Sequence, residues 1–256
     1  MMLRAVLCAV CLLSAGILTF AAPVKDETGP PTAGQFAAGQ DLAEHVRSAL
    51  PEESTELHGR LIIRCNGAQK EIPITCRVTV NATGWKSDYE TAATDQAPAE
   101  HLVVIHHLDA ANEYLYARAA SVSGILPRPG AMPPAQACST ALAGSDFSLA
   151  DLGLDFLHWP KQWLVKNEMR LGEPCYLLES SDPPGGEVVR VRSDIDKEFN
   201  APLIAVGYDA GGGVVKEFSL HGSSFKKVNG RWQLEKMDIR NKKTGSHTEL
   251  KFDLTE

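Results

Sequence analysis

The sequence reads Glu71-Ile72-Pro73-Ile74-Thr75-Cys76-Arg77-Val78-Thr79-Val80-Asn81 at the point that decides its fold. Side chains alternate between the two faces of a β-strand, so this segment has one apolar face and one polar face. Its β-branched residues also favour a strand. The apolar face needs a cover, which a second sheet, a helix or a ligand could supply. The nature of that cover bears directly on function.

Similar alternating patterns run through most of the chain after residue 56 and predict about a dozen strands. Marked turns separate them, among them Asn229-Gly230 and the run from Asp182 to Gly186. Strands joined by short turns pair antiparallel, and a sheet of that width curls or closes. The sequence therefore predicts a mainly β (α+β) protein built on a strongly curved antiparallel sheet.

Two segments carry helical patterns instead. The first spans residues 41–50 and ends before Pro51; the second spans residues 148–159 and ends before Pro160. Their apolar side chains recur every three to four residues, at Leu42, Val46 and Leu50 and then at Leu149, Leu152, Phe156 and Trp159. An amphipathic helix cannot bury itself, so both helices are expected to lie against the sheet. Residues 121–144, rich in Pro and Gly, are predicted to form a long loop.

The amino terminus has the pattern of a secretory signal. Arg4 precedes an apolar run that ends in small residues, which predicts a signal peptide over residues 1–21. The alternative is an uncleaved anchor helix, for which the run is short. Residues 22–40 are predicted to be a flexible lead-in, and residues 41–256 a single domain. The expected location is the periplasm.

Cysteine usage leaves two alternatives open. Export implies an oxidising compartment, and four cysteines follow the signal: Cys65, Cys76, Cys138 and Cys175. Three pairings are possible. Cys65 with Cys76 is the local option, and Cys138 with Cys175 would then be the second pair. The alternative is that one or more are buried free thiols. Their spacing does not match a zinc or redox motif.

The charge balance narrows the range of partners. The formal net charge is -7 and the pI is about 5.6, so no nucleic-acid partner is expected. An acidic body is also not drawn to an anionic membrane. Any transfer to or from a membrane is therefore expected to need membrane proteins of the envelope as partners.

The sequence does not assemble a catalytic or metal site. No Gly-x-Ser-x-Gly elbow is present. His106 and His107 point to opposite faces of a strand, and His101 lies six residues from His107, so these histidines are not expected to share a metal ion. No cofactor, no metal and no enzymatic activity are expected. A hydrolase stays a minor alternative, which activity against acyl esters that is lost on mutating one Ser–His pair would revive.

The order of motifs in the second half resembles the LolA-like family of outer-membrane lipoprotein-sorting proteins. The resemblance covers roughly residues 40–256, and Gly59-Arg60-Leu61 agrees in the first half. The segments that carry it are Asp146-Phe147-Ser148-Leu149-Ala150-Asp151-Leu152, Gly172-Glu173-Pro174-Cys175-Tyr176, Val191-Arg192-Ser193-Asp194-Ile195-Asp196, Tyr208-Asp209-Ala210-Gly211, Asn229-Gly230-Arg231-Trp232 and Thr244-Gly245-Ser246-His247-Thr248. The resemblance implies an open half-barrel with helices as a lid. It also implies a carrier of lipoprotein acyl chains.

Two functions follow as hypotheses. In the first, a monomeric periplasmic carrier shields lipid or lipoprotein acyl chains in an apolar lumen lined by Leu61, Ile63, Ile72, Ile74, Val78, Val80, Val189, Val191 and Ile195. Its lid comprises Leu42, Val46, Leu50, Leu152, Phe156 and Trp159. In the second, the same fold has a filled core and serves as an envelope interaction module. A continuous apolar cavity favours the carrier, and a packed interior favours the module.

Overall fold

The computed structural model describes residues 30–51, 53–81, 84–108, 110–220, 224–228 and 231–254, with the backbone alone at residue 231. The predicted signal peptide lies outside these residues. Within them, no helix is both long and apolar enough to cross a membrane. The predicted curved antiparallel sheet is confirmed. The fold is an open half-barrel that is covered by short helices.

The main sheet contains thirteen antiparallel strands, and a separate two-stranded hairpin accompanies it. The strands are β1 (Thr55–Cys65), β2 (Ala68–Asn81), β3 (Gly84–Thr91), β4 (Glu100–His107), β5 (Glu113–Arg118), β6 (Gly130–Met132), β7 (Lys161–Arg170), β8 (Glu173–Ser181), β9 (Arg190–Asp196), β10 (Ala201–Tyr208), β11 (Val214–Ser219), β12 (Phe225–Val228), β13 (Arg231–Leu234), β14 (Lys236–Asn241) and β15 (His247–Phe252). Their spatial order in the main sheet is β6-β5-β4-β3-β2-β1-β15-β14-β11-β10-β9-β8-β7, and β12 pairs with β13.

Strand β2 has the two faces that its sequence predicts. Ile72, Ile74, Cys76 and Val78 are buried, whereas the side chains between them are half-buried or exposed. Its register pairs Ile72 with Leu61 of β1, so two apolar rows meet on the concave side. The final strand β15 lies beside β1, with Leu61 opposite Leu250. The first and last strands thus meet in the middle of the sheet.

The first helix, α1 (Ala33–Arg47), begins earlier than predicted. Thr32 forms a capping box with Gln35, in which each side chain bonds the backbone N–H of the other. Residues 33–40 are therefore helical, and the flexible lead-in predicted for residues 22–40 is wrong over that stretch. Leu42 and Val46 are buried as predicted. The helix packs on the edge strand β7, where Phe36 meets Trp163 edge to face at 5.7 Å.

The chain between β6 and β7 joins opposite edges of the sheet. To do so it fills the concave side with α2 (Pro134–Ser139), α3 (Leu149–Leu152) and two short 3-10 turns, Leu142–Gly144 and Asp155–His158. We call residues 134–159 the plug. Part of the long loop predicted for residues 121–144 is thus ordered structure. The continuous helix predicted for residues 148–159 is wrong, because Leu154 adopts a left-handed conformation, φ 49°, that ends α3 and begins a 3-10 turn.

The described cysteines are all free thiols, so of the two alternatives the disulfide pairings are not the ones that the structure has. In the β1–β2 register Cys65 is opposite Ala68, whereas Cys76 is opposite Leu57. Eight residues of extended strand, about 26 Å, separate the two positions, while a disulfide needs Cα atoms within about 7 Å. The alternative of buried free thiols is the correct one for Cys76 and Cys175.

Candidate functional site

The concave face of the half-barrel is the candidate site, and the plug occupies it. Most of the buried apolar residues of this face form one cluster, which we call the main core; it includes Leu61, Ile72, Ile74, Leu102, Val104, Leu250 and Phe252 from the sheet. The plug contributes Leu142, Phe147, Leu149 and Leu152 to the same cluster. These four side chains thus lie where an acyl chain would have to bind.

The predicted lumen residues do not line one surface. Leu61, Ile72 and Ile74 lie in the main core, and Ile63 packs against it. Val191 and Ile195 belong to a second cluster between α1 and β7–β9. Val78 lies in a third, small cluster with Trp85, against which Val80 and Leu50 pack. Val189 is half-buried ahead of β9.

The predicted lid residues are divided in the same way. Leu42, Val46, Phe156 and Trp159 are buried in the second cluster, whereas Leu152 is buried in the main core. The break at Leu154 causes this division, because it turns the two halves of the predicted helix toward different clusters. The segment that covers the concave face is therefore the plug, and α1 covers the opposite arm of the sheet at β7.

The interior is packed. Two cavities that border the plug have volumes of about 40 and 20 Å³. Such volumes hold only a few water molecules. Among the described residues, the plug side chains pack directly against the apolar face of the sheet, so an acyl chain that binds at this place has to displace them. Taken alone, the packed interior favours the interaction module over the carrier.

Polar bonds hold the plug to the sheet. Asp146 accepts hydrogen bonds from the hydroxyls of Ser246 and Thr248, and the distance to Thr248 is 2.8 Å. Thr248 Oγ1 also accepts the backbone N–H of Asp146 at 3.0 Å. Further along the plug, Lys216 forms an ion pair with Asp151. Sequence reasoning missed these anchors, because Asp146 and Thr248 are 102 residues apart.

The plug also carries a buried carboxylate. Asp155 accepts hydrogen bonds from Tyr114 Oη at 3.0 Å and from Trp159 Nε1 at 3.1 Å. Burial raises the pKa of Asp155 above its ordinary value, and it raises the pKa of Tyr114 as well. At the other end, the buried Glu100 carboxylate accepts the backbone N–H of Ala143 at 2.7 Å. Buried polar groups that are satisfied in this way fix one arrangement of the plug.

Backbone strain lies at both ends of the central part of the plug. Ala143 has φ 52° and Leu154 has φ 49°, and both are residues that disfavour the left-handed region. Each such residue costs on the order of 1–2 kcal/mol. Strained positions of this kind cluster at switch regions. The packed arrangement of the plug holds this strain in place.

A Ser–His pair does occur in the fold, between Ser87 Oγ and His106 Nε2 at 3.1 Å. Ser87 is only 1% exposed, and the imidazole stacks on Trp85 with ring centroids 3.5 Å apart. Burial is the main cause that lowers the pKa of His106 to about 3. A substrate has no access to the hydroxyl in this arrangement, so the pair contributes to packing and does not form a nucleophile site.

A potential metal cluster lies on the convex face. Ligand atoms of Asp88, Glu90 and His101 lie within 4.8 Å of one another. His101 Nε2 is 3.0 Å from Asp88, and Arg77 forms an ion pair with Glu90 at 2.9 Å. The guanidinium supplies a positive charge where a metal ion would sit. We therefore interpret the cluster as an ion-pair network across β2–β4.

Comparisons with known proteins place these features in context. A family model described as an uncharacterized protein matches residues 128–256. A comparison with curated proteins finds no match. Similar solved structures include a DUF1329 family protein from Desulfovibrio piger, with a TM-score of 0.64, 19% identity, and coverage of 86% of this chain and 91% of that one.

Two further structures carry the lipoprotein-sorting description. A candidate outer membrane lipoprotein-sorting protein domain from Vibrio parahaemolyticus has a TM-score of 0.65 and 18% identity, covering 85% of this chain and 91% of its own. A LolA superfamily protein from Nitrosomonas europaea has a TM-score of 0.58 and 13% identity, covering 86% and 92%. At these identities the likeness establishes the fold, which is LolA-like as the sequence resemblance implied.

Proposed function

Because the chain belongs to the family whose model matches residues 128–256, and because its fold is LolA-like, we propose that it is a non-catalytic carrier of acyl chains. The cargo is a lipid or the lipid part of a lipoprotein, bound on the concave face. The observation that carries this proposal is the plug. It is not part of the main sheet, and it covers the apolar face of that sheet with seven buried side chains of its own.

The energetics allow an acyl chain to replace the plug. Each plug side chain that leaves the main core forfeits roughly 1.5–3 kcal/mol. Burying an acyl chain of roughly 16 carbons gains on the order of 13 kcal/mol before association and ordering costs. The two apolar contributions are similar in size. The polar anchors at Asp146, Asp151 and Asp155 therefore set how readily the exchange occurs.

The cellular setting is part of the proposal. The basic and apolar pattern of residues 1–21 supports export to the periplasm. The acidic net charge of -7 gives no attraction to an anionic membrane. We therefore expect membrane proteins of the envelope to load and unload the carrier, and we expect the carrier to act as a monomer.

Native mass spectrometry of the chain, isolated from a bacterial envelope without detergent, tests the cargo directly. A co-purifying mass that dissociates to a lipid or an acylated peptide supports the carrier. In parallel, an environment-sensitive acyl probe is titrated into the wild type and into Asp146→Ala. The variant removes the anchor to Ser246 and Thr248, so we expect the probe to bind about tenfold more tightly, the effect of about 1.4 kcal/mol.

Asp253→Ala is the matched control. Asp253 pairs with Arg60 at 3.0 Å, at an exposed position away from the plug. Its removal should leave probe binding unchanged. Probe binding that is equal in the wild type and in Asp146→Ala would show that the plug does not guard the site.

The packed interior favours the interaction module as the second candidate. Its prediction is the opposite in each measurement. Native mass spectrometry would detect the chain alone, without a co-purifying mass. Neither the wild type nor Asp146→Ala would bind the probe, although both would melt cooperatively.

A further inference from the structure

A small basic pocket lies at one end of the concave face. It is lined by Arg47 at the end of α1, by Trp85 of β3, by His106 and His107 of β4, and by His158 of the plug. Leu154 and Leu157 of the plug complete its wall, and its volume is about 20 Å³. We call these five polar side chains the basic pocket.

One hydrogen-bond donor in this pocket has no acceptor. Trp85 Nε1 is buried and unpaired, and Trp85 as a whole is 6% exposed. The free energy cost of a buried donor without a partner is about 1–3 kcal/mol. The neighbouring bases have partners of their own: Arg47 donates to the Leu157 carbonyl, and His107 Nε2 lies 2.9 Å from a Glu113 carboxylate oxygen.

The charged groups that act on the two innermost imidazoles are all bases. Burial, followed by His158 and His107, lowers the pKa of His106 to about 3. Burial, followed by Arg47 and His107, lowers the pKa of His158 to about 4. The nearby acids act on other groups, since Glu44 faces Arg47 and Glu113 contacts His107. The pocket thus gathers donors and potential cations in a protein whose net charge is -7.

We propose that the basic pocket binds the anionic head group, a carboxylate or a phosphate, of the amphiphile whose acyl chain displaces residues 142–152 of the plug, while residues 155–159 stay packed in the second cluster. This inference rests on the proposed carrier function. An oxygen of the head group would accept the free N–H of Trp85 and face His158 and Arg47. The pocket adjoins the tail site, because Leu154 packs against the main core and also lines the pocket. Displacement of residues 142–152 would therefore open the tail site beside a pocket in which His158 keeps its place.

The charge arrangement predicts a proton linkage. An anion beside His106 and His158 stabilises their protonated forms, so binding takes up protons. Because the pKa of His106 is about 3 and that of His158 is about 4 without the anion, affinity for an anionic ligand should rise only as the pH falls toward those values. A neutral amphiphile of the same length should show no such dependence, since it offers no charge to the imidazoles.

Displacement of the acyl probe by submicellar palmitate and by 1-hexadecanol tests the inference. We expect the wild type to bind palmitate at least tenfold more tightly than hexadecanol at pH 7, because the Trp85 N–H and the positive charge of Arg47 face the carboxylate. Trp85→Phe removes the indole N–H and keeps an aromatic ring, and His158→Gln removes the base. Each should reduce the preference several-fold and leave hexadecanol binding intact. His45→Gln, on α1 outside the pocket, is the control and should keep the preference.

The outcomes separate this inference from the carrier proposal. Equal affinity for palmitate and hexadecanol in the wild type would overturn the head-group site and leave the carrier standing. Failure of both ligands to displace or to bind would overturn both proposals. If acetate or inorganic phosphate alone displaced palmitate at similar concentrations, the pocket would be a free-anion site and the head-group assignment would be wrong. Melting curves of the two variants verify that each is folded.

Discussion

Gly39 decides how closely α1 approaches the sheet. A Cβ built on Gly39 would lie 2.2 Å from the Trp163 Cα, which is backbone of β7 and cannot move aside cheaply. Helix propensity alone would favour Ala over Gly by about 1 kcal/mol. The overlap outweighs that gain, because overpacking typically costs about 1–3 kcal/mol.

We therefore expect Gly39→Ala to lower the free energy of unfolding by about 1–3 kcal/mol in a urea titration. Gly34→Ala, in the same helix, is the matched control. Its Cβ would have Thr32 Oγ1 as nearest atom at 4.0 Å, so it should stabilise the protein by up to about 1 kcal/mol. Equal effects of the two changes would contradict a close approach of α1 to β7.

Asp194 is the residue through which pH should act on stability. It is buried on β9, and its Oδ1 has no hydrogen-bond partner. Burial is the main cause that raises the pKa of Asp194 to about 7, and the neighbouring Glu168 adds to the effect. The folded state holds the proton of Asp194 more tightly than the unfolded state does. The contribution of this proton to the free energy of unfolding is therefore fully present below pH 4. It is lost as the pH rises through 7.

Asp194→Asn should remove this loss. We expect the variant to be more stable than the wild type at pH 8, on the order of 1–2 kcal/mol, and to show a flatter profile between pH 4 and 7. Asp253→Asn, at an exposed position, should leave the profile unchanged. Urea titrations at several pH values provide the measurement, and a variant profile that parallels the wild type would rule out Asp194 as the group.

At the scale of elements, strands were predictable and the covering segments were not. The alternation of residues 71–81 fixes the faces of β2 because a strand has a single side-chain period. The start of α1 was readable from Thr32-Ala33-Gly34-Gln35, which has the spacing of a capping box. It was missed because the surrounding residues are rich in Gly and Ala. The plug had no such signal. Its short turns depend on contacts with strands about 100 residues away.

Thr248 tests whether these distant contacts hold the plug as one element. It is fully buried and bonds Asp146 as donor and as acceptor. Thr248→Val keeps the shape of the side chain and removes both bonds. We expect faster hydrogen exchange in residues 143–153 and a loss of about 1–3 kcal/mol in stability. Thr75→Val, on the outer face of β2, is the control and should leave exchange in the plug unchanged.

If Thr248→Val raised hydrogen exchange equally in the sheet and in the plug, the plug would not open independently of the sheet. That outcome would show that the two unfold as one cooperative unit. A selective rise in the plug is the behaviour that the carrier needs, because an acyl chain must displace the plug while the half-barrel persists.

At the scale of the whole molecule, the architecture followed from the sequence, while the content of its interior did not. Period-two patterns predicted a wide sheet that curls or closes, because the alternation shows which face of each strand is buried, and the family resemblance implied that the sheet stays open. These patterns could not show whether a ligand or the chain itself covers the buried face, since a strand has the same apolar face in either case. Apart from Val189, the predicted lumen residues accordingly fall into three clusters, two of which include plug residues.

The free thiols give a prediction about the molecule as a whole. Neither β1 nor β2 can bring Cys65 to Cys76, because the register holds them about 26 Å apart. The sheet therefore gains its stability from packing and from its hydrogen-bond ladder, without covalent cross-links among the described residues. We expect the melting temperature to be the same with and without a reducing agent. Alkylation of the unfolded, unreduced chain should label every cysteine.

The number of labels also reports on processing. The whole sequence has 6 cysteines, and 4 of them follow residue 21. Four labels on a chain whose intact mass shows that residues 1–21 are missing would support free thiols, whereas six labels would show that the signal is retained. Fewer than four labels would mean that a disulfide forms in the oxidising compartment. Since the register forbids Cys65 with Cys76, such a bond would require a rearranged fold or a second copy of the chain.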